Sequence, residues 1–266
     1  MTSTDPRPIG VFDSGVGGLT VLRALRRRFP HESMLYLGDT ARVPYGTKSA
    51  EVVTRYSLRN AAFLAGRDIK LLVVACNTSS AVALPALRAT LGVPVLGVIE
   101  PGARAALRRT RSGVLGVIGT PGTIASGAYQ RALAAERPGI QIHARACPLF
   151  VPLAEEGWVE GDVPRLVARE YLAPLRQAGI DTLVLGCTHY PLLKGVVAEA
   201  LGPAVELVDS AEATADEVGT LLEAGTVGRG DGSGLHLYVT DLPQRMPELS
   251  TRFLGERIDA AEQVDI

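Results

Sequence analysis

Short apolar runs alternate along this chain with longer stretches whose apolar residues recur at helical spacing. The first run, residues 9–12, is followed by a glycine-rich turn at 13–18 and by a helical stretch that reaches Arg28. Continuous apolar strands separated by amphipathic helices are typical of parallel sheets that helices cover on both faces. The pattern therefore predicts an α/β fold. The predicted strands are 9–12, 34–37, 71–75, 95–98, 114–118, 140–146, 182–186, 205–209 and 236–239, and the longer predicted helices are 51–65, 125–135, 163–178 and 211–223.

Two of the predicted strands lead into similar sequences. Residues 71–78 contain Cys76 and resemble residues 182–189, which contain Cys187. A helix and then a strand that leads to an acidic residue follow each cysteine. All buried strands are rich in Val and Leu, but here the turn, the cysteine and the acid recur in the same order, which favours a duplicated unit. We therefore expect two pseudo-symmetric lobes, each a mostly parallel sheet flanked by helices, with the active site in the cleft between them.

The similarity also predicts how the chain divides between the lobes. Residues 1–100 and 208–266 are expected to form the first lobe, which carries Asp13 and Cys76. Residues 101–207 are expected to form the second lobe, which carries Cys187.

Composition limits the classes of protein to which the chain can belong. The 266 residues include 27 Lys and Arg against 28 Asp and Glu, so the basic excess of a nucleic-acid-binding protein is missing. No apolar run approaches the roughly 18 residues of a membrane span, and the polar N-terminus has no apolar signal segment. Three cysteines without a secretion signal predict reduced thiols in the cytoplasm. Neither nucleic acid nor a membrane is an expected partner.

Two glycine-containing loops match nucleotide-binding motifs only in part. The turn at 15–18 follows a strand, but Thr20 stands where a dinucleotide-binding loop has its third glycine. The segment 46–49 lacks the residue order of a P-loop. Tight strand-to-helix turns explain these glycines, so the sequence predicts no bound cofactor.

Cys76 and Cys187 are the strongest chemical signal in the sequence. Each stands where an apolar strand ends and a helix begins, which is the edge of an α/β sheet at which ligands bind. A helix N-terminus is expected to lower the pKa of a thiol at that position. Small hydrogen-bonding residues follow both cysteines. Cys147 precedes a proline outside any such turn and is expected in the core.

Three uses of the two thiols are compatible with the sequence. A disulfide needs Cα atoms within about 7 Å and an oxidising compartment. A zinc site needs two further ligands, of which His189 supplies at most one, so no metal is expected. Acid/base chemistry on the two faces of one carbon needs a thiolate that removes a proton and a thiol that donates one. That arrangement inverts a stereocentre without a cofactor.

Several segments in order resemble the motifs of the glutamate racemase family. Residues 9–20 resemble its opening motif, and residues 185–193 resemble the motif of its second cysteine. The other matching segments are 39–46, 74–80, 148–157 and 238–241. The resemblance implies two similar α/β lobes and interconversion of L- and D-glutamate for peptidoglycan without a cofactor. We also expect a homodimer.

The resemblance assigns roles residue by residue. Cys76 resembles the base that deprotonates D-glutamate, and Cys187 resembles the base that deprotonates L-glutamate. Asp13 and His189 resemble the groups that tune the thiols. The substrate-binding residues that the resemblance implies are Asp13, Ser14, Pro44, Tyr45, Gly46, Asn77, Thr78, Thr120, Thr188 and His189.

The resemblance also implies a further auxiliary acid within residues 148–157. Glu155 fits that role by its position in the motif. The neighbouring Glu156 is the alternative.

The implied reaction is difficult because the Cα–H beside a carboxylate is weakly acidic. Without a pyridoxal ring, backbone N–H groups and small hydroxyls in a water-poor cleft must stabilise the carbanionic charge. Only Lys48, Lys70 and Lys194 could form a Schiff base, and Arg42 is the one arginine near the substrate motifs. We therefore predict recognition of the substrate mainly by neutral donors, with residues 44–46 as a lid.

Two other functions remain compatible with the sequence. A related two-cysteine racemase or isomerase would act on aspartate, hydantoin or maleate-like substrates. A noncatalytic amino-acid-binding or anion-binding module is the alternative from a different class.

Overall fold

The strands form two separate sheets. The computed structural model describes residues 4–241 and 243–266. In chain order the strands are β1 (Ile9–Asp13), β2 (Met34–Gly38), β3 (Leu71–Val74), β4 (Val95–Gly97), β5 (Val114–Gly119), β6 (Gln141–Ala146), β7 (Thr182–Gly186), β8 (Glu206–Asp209), β9 (Leu235–Val239) and β10 (Glu262–Gln263). Within the described residues the first sheet has the order β10-β9-β2-β1-β3-β4 and the second has the order β6-β5-β7-β8. All neighbouring strands in both sheets are parallel.

Helices connect the strands. They are α1 (Leu19–Arg28), α2 (Ala50–Ala65), α3 (Asn77–Val82), α4 (Leu84–Thr90), α5 (Ile99–Arg109), α6 (Pro121–Ala125), α7 (Ala128–Glu136), α8 (Phe150–Glu155), α9 (Asp162–Gln177), α10 (Lys194–Leu201), α11 (Ser210–Glu223) and α12 (Met246–Phe253). In the part of the chain described by the structure, no helix is both long and apolar enough to cross a bilayer.

The α/β prediction is confirmed. The strands β1, β3 and β7 are buried along their whole length, as continuous apolar runs in parallel sheets should be. The helices are amphipathic: α1 buries Leu19, Leu22 and Leu25 and ends in three arginines. Two of these, Arg27 and Arg28, form ion pairs with Glu212 and Asp216 of α11. Helix α11 therefore packs against α1 although the two are distant in the chain.

Three local features differ from the sequence predictions or were missed by them. The helix expected over 125–135 is broken, because Gly127 adopts a left-handed conformation with φ of 66° between α6 and α7. The strand β4 ends at Gly97, so Glu100 lies in the first turn of α5, a helix that the sequence did not predict. The strand β10 was also missed, since two exposed residues carry no apolar pattern.

The sheets draw on different parts of the chain. The first sheet contains strands from residues 9–97 and then 235–263, and the second contains strands from residues 114–209. Helix α5 spans residue 100, and β8 continues to Asp209, two residues beyond the expected boundary at 207. The carboxyl ends of β1 and β3 in one sheet, and of β5 and β7 in the other, carry the residues described next.

Candidate active site

Asp13 is the last residue of β1 and is fully buried. The backbone N–H of Gly15 donates a 2.9 Å hydrogen bond to its Oδ2, while Oδ1 has no partner within the described structure. Burial raises the pKa of Asp13, and the charge of His189 and nearby backbone N–H groups oppose that rise. A carboxyl group with a free acceptor oxygen therefore lies at the edge of the first sheet.

Cys76 follows β3 and caps α3. Its sulfur accepts a hydrogen bond from the Ser79 N–H at 3.5 Å and donates one to the Ser14 hydroxyl at 3.5 Å. Burial and the nearby carboxyl of Asp13 raise the pKa of Cys76 to about 11, although the bonds with Ser14 and Ser79 act to lower it. The predicted lowering of this pKa by the helix N-terminus was wrong. Desolvation outweighs the few N–H groups that a six-residue helix offers.

Cys187 follows β7 in the second sheet. Its sulfur lies 3.7 Å from Nδ1 of His189, and Nε2 of His189 lies 2.9 Å from Oε1 of Glu155. A thiol, an imidazole and a carboxylate thus stand in line, which is a suitable arrangement for proton transfer at the sulfur. The two cysteines differ in their partners, because Cys76 contacts a hydroxyl and a backbone amide instead of an imidazole.

The charges of His189 and Glu155 stabilise each other. Burial disfavours the charged form of His189, but its hydrogen bonds to Cys187 and Glu155 raise its pKa to about 10. Burial alone would raise the pKa of Glu155, but the hydrogen bond and charge of His189 lower it. Glu156 is 65% exposed and lies 3.8 Å from Arg245 instead. Of the two neighbouring acids, Glu155 is the one that contacts His189.

Helix α12, near the C-terminus, contacts His189 and Glu155. Phe253 packs edge-on against the His189 ring, with 5.3 Å between centroids. Arg252 donates a hydrogen bond to the backbone oxygen of Glu155 and pairs with Glu248 at 2.9 Å. Neither residue belongs to a sequence motif, so neither was predicted as a site residue.

Glycines bring the two sheets into contact at the site. A Cβ at Gly17 would lie 2.3 Å from Oγ1 of Thr188 and 2.5 Å from the His189 ring. A Cβ at Gly46 would lie 2.5 Å from Cβ of Thr120. Only glycine allows these approaches, so the turns of the first sheet fit directly against the residues that follow strands of the second.

Hydroxyl and amide groups from both sheets meet beside Cys76. Oγ1 of Thr78 lies 3.0 Å from that of Thr120 and 3.2 Å from that of Thr123. Asn77 accepts a 2.7 Å hydrogen bond from Tyr129. Thr123 was missed as a site residue, although its place three residues after the N-cap Thr120 is a recognisable signal.

The loop at 44–46 is anchored in the first sheet. Tyr45 is 1% exposed, and its hydroxyl bonds to the buried carboxylate of Asp39 and accepts a 3.2 Å hydrogen bond from Asn60. Arg42 also pairs with Asp39, at 3.3 Å. The one arginine close to the substrate motifs in the sequence is therefore already paired with an acid.

Two of the three lysines have acidic partners. Lys70 precedes β3 and forms a buried ion pair of 2.5 Å with Glu32, at the edge of the sheet opposite Cys76. Lys194 pairs with Asp209 at 2.7 Å. The three cysteines are free thiols, so the disulfide interpretation is wrong. Among residues 4–241 and 243–266, no cluster of His, Cys, Asp and Glu has a geometry for holding a metal.

Comparison with known proteins identifies the family. The family profile described as Asp/Glu/Hydantoin racemase matches residues 19–218. The chain is also 57% identical over 262 residues to the glutamate racemase of Geobacter metallireducens. The alignment covers 98% of this chain and 97% of that protein. The chain belongs to the Asp/Glu/hydantoin racemase family.

Solved structures of this racemase family have the same fold. A glutamate racemase isoform from Bacillus anthracis superposes with a TM-score of 0.91 at 40% identity, covering 98% of each chain. The glutamate racemase of Francisella tularensis, solved in complex with D-glutamate, superposes with a TM-score of 0.90 at 38% identity, covering 97% of each chain.

The predicted site residues of this racemase-family chain collect at facing sheet edges. The carboxyl ends of β1, β2 and β3 in the first sheet supply Asp13, Ser14, Pro44, Tyr45, Gly46, Cys76, Asn77 and Thr78. In the second sheet, Thr120 follows β5, and Cys187, Thr188 and His189 follow β7. Glu155 is the last residue of α8. Contacts between Gly17 and Thr188, and between Gly46 and Thr120, join the two groups.

Proposed function

We propose that this chain is an enzyme that interconverts L- and D-glutamate through proton transfer by Cys76 and Cys187. The observation that carries the proposal is the placement of the two buried free thiols. Each follows a strand of a different sheet, and the turns beside them are in contact through Gly17 and Thr188. Two thiols held in this way can serve opposite faces of one carbon.

In the proposed reaction one sulfur takes the α-proton and the other returns a proton from the opposite face. The electron pair of the broken C–H bond remains on the α-carbon and its carboxylate until the second proton arrives. The raised pKa of Cys76, about 11, keeps it a thiol in the resting site, ready to donate when L-glutamate is the substrate. The imidazolium of His189 places a positive charge 3.7 Å from Cys187, where it attracts negative charge on that sulfur.

We propose that neutral groups bind the substrate carboxylates. The hydroxyls of Thr78 and Thr120 and the side-chain amide of Asn77 face the same region, and Arg42 is engaged by Asp39. Such donors stabilise developing negative charge on the substrate without neutralising a catalytic group.

We also propose the lobe division expected from the sequence, with residues 1–100 and 208–266 against residues 101–207. Each lobe contains one sheet and one of the two proposed catalytic cysteines, and closure of the cleft would exclude water from the reacting carbon. Residues 44–46 act as a lid in this proposal. The distance between the two sulfurs should be roughly 6–8 Å when substrate is bound, because reacting atoms approach to about 3–3.5 Å.

Exchange of the α-hydrogen with deuterated water tests the two-thiol mechanism. Cys76→Ala and Cys187→Ala should each lower racemisation of glutamate by at least about 1,000-fold. Cys147→Ala is the matched control, because it removes a buried free thiol outside the site and should leave the rate within about twofold of wild type. Undiminished stereoinversion by Cys76→Ala or by Cys187→Ala would contradict the two-thiol mechanism.

Substrate identity has its own assay. We propose glutamate over the aspartate, hydantoin and maleate-like alternatives. Chiral chromatography should show D-glutamate forming from L-glutamate, with D-aspartate forming from L-aspartate at no more than about 1% of that rate. Faster turnover of aspartate would reassign the substrate.

We propose a homodimer in which a second copy covers an exposed apolar surface. Leu149, Trp158 and Val163 are 49–56% exposed and line a groove of about 320 Å³ beside α9. Leu166, also on α9, is 70% exposed. Helix α9 has Asp162 in its first turn and Arg176 in its last. Two copies of α9 packed antiparallel about a twofold axis would pair these opposite charges and cover both apolar faces.

Sedimentation analysis tests this dimer. The wild type should sediment as a dimer, and Leu166→Glu should sediment as a monomer that remains folded. Ala62→Glu, at an exposed position of α2, is the control and should remain dimeric. A monomeric wild type, or a dimeric Leu166→Glu variant, would contradict the proposed interface.

The cellular role is also a proposal. Free thiols that act as acid and base require a reducing compartment, which favours the cytoplasm. The D-glutamate produced there would supply peptidoglycan synthesis, as the family resemblance implies. Depletion of the protein should stop growth, and added D-glutamate should restore it if uptake is provided.

A further inference from the structure

Tyr129 of α7 contacts the segments of both site cysteines. The residue is 1% exposed. Its hydroxyl donates a 2.7 Å hydrogen bond to Oδ1 of Asn77, which immediately follows Cys76. Its ring lies against Gly186, which immediately precedes Cys187, since a Cβ at Gly186 would come within 2.9 Å of Cε2 of Tyr129. One buried side chain thus links the two sheets behind the thiols.

The hydrogen bond to Tyr129 determines which end of the Asn77 amide remains free. Burial raises the pKa of Tyr129, so its hydroxyl keeps its proton and acts as a donor. It donates to Oδ1 of Asn77, so the carbonyl oxygen of that amide faces α7. The NH₂ group of Asn77 must then face away from Tyr129.

That NH₂ group has no hydrogen-bond partner among the described residues. Asn77 is 2% exposed, and its Nδ2 is a buried atom without an acceptor. Leaving a buried donor unpaired destabilises a protein, so such atoms require an explanation. Asn77 lies beside the proposed proton donor, where an oxygen on the reacting carbon of the substrate would be within reach.

We propose that Tyr129 is a positioning residue that orients the Asn77 amide toward a carboxylate oxygen on the reacting carbon. This proposal deepens the proposed racemisation and rests on it. As the α-proton leaves, negative charge grows on that oxygen, and a donor already oriented stabilises it without reorganisation. The contact with Gly186 keeps this donor in register with Cys187.

A double-mutant cycle tests the proposal. Tyr129→Phe should lower kcat/KM for glutamate by about tenfold, with most of the change in kcat, because the amide of Asn77 becomes free to rotate. Asn77→Ala should lower kcat/KM by about 100-fold. Tyr129→Phe should then have less than about a twofold further effect in the Asn77→Ala background. An equal effect in both backgrounds, or none in the wild type, would overturn the positioning role.

Two further variants guard against loss of folding. Asn77→Asp keeps the acceptor for Tyr129 but lacks the NH₂ group, so Tyr129→Phe should add little to it as well. Tyr171→Phe removes another hydroxyl of the same lobe, one that accepts a 3.2 Å hydrogen bond from the Leu149 N–H, and should leave kcat and KM unchanged. A loss of kcat in Tyr171→Phe equal to that in Tyr129→Phe would assign the effect to general destabilisation.

A measurement without substrate separates this proposal from the proposed reaction. In nitrogen-labelled protein the side-chain amide resonances of Asn77 should shift or broaden in Tyr129→Phe. Unchanged resonances would overturn the positioning role even if the wild type racemises glutamate. An inactive wild type whose Asn77 resonances respond to Tyr129→Phe would overturn the reaction and leave the orientation of the amide supported.

Discussion

The sulfur of Cys187 lies 3.7 Å from Nδ1 of His189, and no equivalent imidazole contacts the sulfur of Cys76 within the described chain. The strands β3 and β7 are therefore followed by chemically different environments. Cys76 is surrounded by small hydroxyls and a buried carboxyl, whereas Cys187 faces a cation supported by Glu155. A racemase can use this difference, because its two sulfurs must hold opposite protonation states at the start of each half-reaction.

Glu155→Gln should weaken the charge on His189. The wild-type pKa of His189 is about 10, above its ordinary 6.5, so the stabilisation it provides is complete below pH 6.5 and is lost as the pH rises through about 10. The pKa of Glu155 is lowered, so its own contribution is lost as the pH falls below its ordinary 4.5. We expect the variant to be less stable by about 1 kcal/mol near pH 6 and equal to wild type above pH 10 or so.

Thermal unfolding across this pH range measures the effect. The racemisation rate of Glu155→Gln should also fall about tenfold near neutral pH. Glu156→Gln is the matched control, because Glu156 is exposed and contacts Arg245. If the two variants behave alike, Glu155 does not act through His189.

Asp13→Asn should lower the pKa of Cys76. Burial accounts for the largest part of the rise to about 11, and the carboxyl of Asp13 adds to it. Removing that charge leaves the thiolate less disfavoured, so Cys76 should be alkylated several-fold faster at pH 8–9. The rate is measured in a Cys187→Ala background, with Asp68→Asn as the control at a position 82% exposed. Slower alkylation in Asp13→Asn would contradict the electrostatic interpretation.

Gly17→Ala should separate the two halves of the site. The new Cβ would lie 2.3 Å from Oγ1 of Thr188, so the segment after Cys187 must move. We expect a loss of about 1–3 kcal/mol in stability and at least about 100-fold in kcat/KM. Gly195→Ala, at a position in α10 with no atom within 4 Å of the new Cβ, should keep full activity and gain up to about 1 kcal/mol. Crystal structures of both variants would show whether the Thr188 segment has shifted.

Lys70→Met should destabilise the fold without affecting the reaction. The Lys70 side chain is 1% exposed, and its ammonium group is paired with Glu32 and with the carbonyl oxygens of Asp5 and Gly228. Removing it leaves a buried carboxylate unpaired, which should destabilise the fold by about 3–5 kcal/mol. Lys194→Met, whose side chain is 43% exposed, should change stability by less than about 1 kcal/mol.

Denaturant titration gives both free energies of unfolding. The folded fraction of Lys70→Met should keep wild-type turnover, because Lys70 lies at the sheet edge opposite Cys76. Loss of turnover in fully folded Lys70→Met protein would indicate that Lys70 takes part in the reaction, for example through a Schiff base.

The sequence was sufficient to predict the strands and the loops that carry the site. Residues 71–74 and 182–186 are continuous apolar runs, which are typical of strands in a sheet covered on both faces. The apolar pattern of the sequence therefore indicates where these strands lie. The cysteines were visible because each interrupts such a run at the same point. Thr120 and Thr188 were predicted through the resemblance to the glutamate racemase family, and both follow strands as the cysteines do.

Features that depend on packing between lobes were not visible in the sequence. The rise in the pKa of Cys76 results from burial and from the carboxyl of Asp13, and a local motif reports only the helix that follows the cysteine. Tyr129 lies in the stretch 125–135, which was predicted as one helix but is interrupted at Gly127. Phe253 reaches His189 from a helix 64 residues later in the chain, and nothing in its local sequence indicates that contact.

The order of the strands has a consequence for synthesis on the ribosome. The strand β2 has β1 on one side, but its other neighbour, β9, is translated about 200 residues later. The second sheet, which is continuous in the chain, can fold while the first still has an open edge available to other nascent chains. Truncation before residue 235 should therefore leave β2 with an unpaired edge and yield an aggregating product, because residues 235–239 supply the strand that covers it.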